Sequence, residues 1–115
     1  MANTFKTITK ANVTSADIIY TVAGSTTTVL LGILLGNTTG SAITATVSLG
    51  SDTAGRAGNN DEANQTVELI TGTSIPANSS LELLTGNKVV METTDTLSVT
   101  GSASTDVVLS IMEIT

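Results

Sequence analysis

The chain has 115 residues, 40% hydrophobic but only 2% aromatic, with four basic residues against ten acidic and a net charge of −6. That balance argues against nucleic acid and anionic membrane as partners, because both are held by clustered Lys and Arg. The absence of Cys and His excludes disulfides, thiolate chemistry and zinc–thiolate sites, and removes the commonest general base and metal ligand.

A chain of this length fits one domain with a modest core. With a single Phe and a single Tyr, that core must come from Val, Ile, Leu, Ala and the methyls of Thr, and Thr is about a fifth of the chain. Stiff β-branched side chains favour pleated surfaces. Helical periodicity is nearly absent. Short strand signals recur about every ten residues between Gly, Asn, Ser and Asp clusters.

Residues 1–16 read as an extended N-terminal arm or edge strand, and residues 17–115 as the body. Lys6 and Lys10 put half of the positive charge in the first ten residues. A basic arm on an acidic body would steer docking onto an acidic face. The first ten residues also lack an apolar signal region, so synthesis in the cytoplasm is expected.

Residues 17–22 are a second strand. Residues 27–35 are the strongest, and the apolar run 29–35 is far short of the ~20 residues that span a bilayer. Residues 36–41 (Gly-Asn-Thr-Thr-Gly-Ser) form a turn. Residues 42–49 alternate Ile43, Ala45, Val47 and Leu49 against Thr44, Thr46 and Ser48, a strand with one wet face. Residues 50–64 are a long polar loop and 65–71 a strand. Pro76 marks a corner at 75–80, since it removes an amide donor. Strands at 81–84, 88–92, 96–99 and 106–113 complete the set. The fold class expected is all-β: an antiparallel, jelly-roll-like β-sandwich of about eight short strands.

Two strands are apolar on both faces. In 29–35, Val29, Leu31, Ile33 and Leu35 alternate with Leu30, Gly32 and Leu34. Near the C-terminus, Val107, Leu109 and Ile111 alternate with Val108, Ser110 and Met112. A two-layer sandwich hides one face of each strand, so a second cover is implied. It is either the chain's own loops or a neighbouring subunit.

No catalytic, cofactor-binding or metal-binding residue is expected. Lys6, Lys10 and Lys88 sit in no motif for Ser–Lys chemistry. Residues 50–56 only faintly echo a phosphate loop, with Arg56 and Ala57 where a lysine and a hydroxyl belong. Asn59, Asn60, Asp61, Glu62 and Asn64 lack calcium-loop spacing. Neither Asp61–Glu62 nor Glu92–Asp95 forms an acid/base dyad. Asn-x-Ser/Thr triplets begin at Asn12, Asn37, Asn64 and Asn78, in a chain without a secretion signal. Phe5 and Tyr20 are either interface anchors or core filling.

Four stretches taken together resemble a known group. They are the apolar strand and turn of 26–44 (TTTVLLGILLGNTTGSAIT), then IPANSSLEL at 75–83, GNKVVM at 86–91 and DVVLSIMEI at 106–114. This order resembles the small virion structural proteins of tailed bacteriophages, over about three-quarters of the chain. The resemblance implies a β-sandwich building block of the virion, not an enzyme. It implies a capsid decoration or cement protein that binds the major capsid protein between capsomers, acts as a homotrimer and uses no cofactor. A neck, tail or fibre component, or a surface carbohydrate-binding module, is the alternative. The 50–64 loop is longer and more polar than the resemblance leads one to expect.

Overall fold

The computed structural model describes residues 2–51 and 65–115. The candidate loop residues Arg56, Asn59, Asn60, Asp61, Glu62 and Asn64 lie outside them. Nine strands form among the described residues: β1 (Asn3–Val13), β2 (Ala16–Thr21), β3 (Thr27–Asn37), β4 (Ile43–Ser51), β5 (Gln65–Ile75), β6 (Ser80–Leu83), β7 (Val89–Met91), β8 (Thr96–Gly101) and β9 (Thr105–Ile114).

They pair antiparallel into two sheets. The first runs β1-β9-β3-β6, with β7 also on β3; the second runs β2-β8-β4-β5. β7 pairs with Thr28–Leu30 and β6 with Ile33–Gly36. The two therefore share one lane, interrupted by a turn with Leu84 and Gly86 at positive φ. Eight lanes remain, four per sheet, and the chain switches sheets at most connections. This is the jelly-roll form of the β-sandwich.

The core lies between the sheets. Leu30, Leu35, Val47, Ile75, Met91, Leu97, Val99, Leu109 and Ile111 are fully buried there. Alternation places Leu97 and Val99 of β8 and Val107, Leu109 and Ile111 of β9 inward. In β3 the simple alternation fails. Its register against β9 slips between Leu30 and Gly32, so one residue is inserted and the inward parity changes. Thr28 and Leu30 point inward before the slip; Ile33, Leu35 and Asn37 do so after it. The slip leaves Leu31 and Gly32 together on the outer side, where side-chain alternation would have put Leu31 in line with Ile33.

Several elements outrun their predicted ends. β4 continues through Gly50 and Ser51, and β5 reaches Ile75 past a bulge at Thr71 and Gly72. Gly72 has a φ of 54°, and its N–H donates to Thr46 Oγ1 at 2.9 Å. β3 extends to Asn37, inside the predicted turn.

Candidate assembly surface

β1 is the edge lane of the first sheet, in register with β9 from Asn3↔Ile114 to Lys10↔Val107. Apart from Ile8 and Val13, its side chains are exposed on both faces. Directly opposed residues of antiparallel strands point to the same side. The register therefore writes out the outer face of this sheet row by row.

One row is Phe5–Met112–Val29–Val90, apolar across four lanes. A second is Thr9–Val108–Leu34–Glu82. Between them runs Thr7–Ser110–Gly32, a row of small residues. A Cβ built on Gly32 would meet nothing within 4 Å. The result is a low trough flanked by the Phe5 row on one side and by Val108 and Leu34 on the other. It holds a depression of about 380 Å³ lined by Leu31, Leu34, Glu82, Leu84 and Val108 among others, and one of about 250 Å³ beside Phe5. Phe5 is 72% exposed and Val90 60%. No strand among the described residues lies over this face.

The opposite outer face differs in chemistry at its centre. Thr46 faces Thr100 and Ser48 faces Ser98 across β4 and β8, a hydroxyl-bearing surface, with Ile18 exposed beside it on the edge strand β2. The two apolar faces read in residues 29–35 and 107–112 thus have distinct fates. One fills the interior, and the other is presented to the outside.

The two aromatic residues separate in the same way. Tyr20 is core, 9% exposed. Its hydroxyl donates to Glu113 Oε2 at 2.5 Å and lies 2.7 Å from Thr28 Oγ1. Burial, then the Glu113 hydrogen bond, push its phenol up to about 12. Lys6 Nζ meets Glu113 Oε1 at 2.7 Å. Lys6 and the Tyr20 hydroxyl hold the Glu113 carboxyl below its ordinary value. The cluster ties β1, β2, β3 and β9 together at one end of the sandwich. Residues 93 positions apart meet in it, and no local sequence signal announces them. Lys10 makes a looser pair with Asp17, at 3.8 Å.

The remaining candidates resolve as structural. Asn37 is 3% exposed. Its Nδ2 donates to the carbonyls of Ser41, Ile75 and Pro76, and its Oδ1 accepts from Thr39 N and Oγ1. An amide so engaged is no glycan acceptor. Asn12, at the irregularity near the end of β1, and Asn78, in a turn, are exposed, with φ of 58° and 56°. The Asp95 carboxylate accepts from the Glu92 N–H at 3.0 Å and closes the turn between β7 and β8. Among the described residues, no group of three or more Asp or Glu is placed to hold a metal ion.

No family model and no curated protein matches the chain. A solved structure described as "Bacillus endospore appendages form a novel family of disulfide-linked pili" is similar, at 19% identity and a TM-score of 0.47. The match covers 99% of this chain and 87% of that one.

Proposed function

We propose that this chain is a structural subunit of a bacteriophage virion, serving as a decoration or cement protein on the head. The observation that carries the reading is the outer face of the first sheet. One of its rows, Phe5–Met112–Val29–Val90, is apolar across four lanes and lies open among the described residues, while the second sheet presents hydroxyls along β4 and β8. Contiguous exposed apolar surface of this kind marks a place where another protein sits. A cement role asks for complementary faces and repeated weak contacts, which sum by multivalency, and it asks for no catalytic group. The sequence resemblance to small virion proteins supports the same role.

A carbohydrate-binding role is less well served. Sugar rings stack on exposed aromatic side chains, and with Tyr20 in the core Phe5 alone is available. A neck, tail or fibre position uses the same kind of face and differs only in location.

Mass spectrometry of density-purified particles from the producing culture, with heads separated from tails, tests the proposal. The chain is expected in the head fraction. Finding it only with tails moves it to the neck, tail or fibre, and its absence from purified particles overturns the reading.

A further inference from the structure

We infer that residues 3–10 form a hinged strap, which opens away from β9 as a unit while the rest of the sandwich stays folded. The strap carries Phe5, so its opening reshapes the apolar face.

The hinge is visible in the backbone. β1 runs in unbroken register with β9 from Asn3↔Ile114 to Lys10↔Val107, loses it, and regains one pair at Val13↔Thr105. In the break stands Asn12, with a φ of 58°. An irregularity of this kind bends a strand and interrupts its ladder.

The two sides of the hinge are held differently. After it, Val13 is 2% exposed and belongs to the core. The Asn12 N–H donates to Asp106 Oδ1 at 3.1 Å, and Ser104 Oγ donates to Asn12 Oδ1 at 2.7 Å. These contacts pin the hinge to the β8–β9 connection. Before it, Ile8 is the one half-buried side chain of residues 3–10, and the others are exposed. The side-chain ties there are the Lys6–Glu113 pair and the looser Lys10–Asp17 pair, in both of which the lysine is about half exposed. Ion pairs open to water contribute little. What remains is a single ladder of main-chain bonds, because β1 is an edge lane with β9 beside it. Elements with few buried apolar contacts and exposed main-chain bonds open at a lower free energy than a core does.

Opening has two consequences. It takes Phe5 out of its row with Met112, Val29 and Val90. It also bares the main-chain donors and acceptors along the β1 side of β9, from Val107 to Ile114. An edge of that kind is a template for another strand.

Native-state hydrogen exchange, followed by NMR at low urea concentrations, tests the strap. The amides that bond β1 to β9, in either direction, are expected to share one opening. Their protection should be lower than that of the Leu97 and Val99 amides, and it should respond weakly to urea because little surface is exposed. The β9 amides that bond to β3 should keep the protection of the core. Ile75→Val trims a fully buried side chain in the other sheet. It should speed exchange at Leu97 and Val99 about two- to tenfold. It should leave the β1–β9 amides where they were, since Ile75 stays packed when the strap opens. Equal protection and equal urea response in β1 and β8 overturn the inference. So does an Ile75→Val variant that speeds both groups alike. Opening of the β3-bonded amides of β9 together with the strap also overturns it, because the whole sheet then loosens and not one strand.

Discussion

Asn37 illustrates how much one side chain decides in a core without large aromatics. Its amide satisfies three carbonyls at the β3–β4 turn and at the β5 corner, which would otherwise be left under-bonded near the interior. Buried polar groups left without partners are expensive. Asn37→Ala should lower stability by about 2–4 kcal/mol, read as a shifted urea midpoint with unchanged slope. Asn37→Asp should do at least as much harm, because it turns both donors into acceptors facing carbonyl oxygens. Tyr20 gives a second test at this scale. The unfolded chain releases its phenol proton near 10.0, while the native state holds it to about 12. Between those values the native state binds more protons, so stability is full below pH 10 and falls as pH rises through about 12. The chain has one Tyr and no Trp, so the ultraviolet absorbance of the phenolate reports this group alone. Titration midpoints that coincide in native and urea-unfolded protein would contradict the buried Tyr20–Glu113 contact.

At the level of the strand, the sequence carried most of what the fold shows. Alternation located β4 and β9, and Gly, Asn and Pro clusters marked the breaks between lanes. What it concealed were departures from period two. The apolar run 29–35 reads as a continuous alternation, yet the slip at Leu30–Gly32 exchanges its faces part-way. Gly32 in the middle of a strand was the available signal, since an interior Gly often marks a bulge. The strand expected at 65–71 runs on to Ile75 in β5, carried past Gly72 by a bulge. The surface was legible only in part. The excess of apolar positions in β3 and β9 announced an outer face to be covered. The rows that form it depend on register between residues as far apart in sequence as Phe5 and Met112, which composition does not encode. Gly101 shows a constraint of the opposite kind. An added Cβ there would stand 2.5 Å from Thr105 Oγ1 and 2.6 Å from the Val13 carbonyl. Gly101→Ala should therefore push the ends of β1 and β9 off the β8 end. A destabilisation of about 1–3 kcal/mol is expected by thermal melting, as for overpacked sites.

For the molecule as a whole, the asymmetry between the two outer faces matters more than any single residue. One sheet turns the apolar Phe5–Met112–Val29–Val90 row outward and the other turns hydroxyls outward along β4 and β8, so the two faces have different solvents or neighbours to meet. The interior is held by aliphatic packing between the sheets and, at one end, by the polar cluster of Lys6, Glu113, Tyr20 and Thr28. Its first and last strands are also partners. Ala2 N donates to the Thr115 carbonyl at 3.2 Å, and Thr115 N donates to the Ala2 carbonyl at 3.0 Å. Residues 2 and 115 thus sit one strand spacing apart, at the corner next to the Phe5 row. The backbone is nearly a closed circuit. A linker of a few residues would join the two ends, and a circularly permuted chain, opened at the turn between β6 and β7, would trace the same sandwich. Any polypeptide attached before residue 2 or after residue 115 would leave from this one corner, so two fused cargoes would emerge side by side.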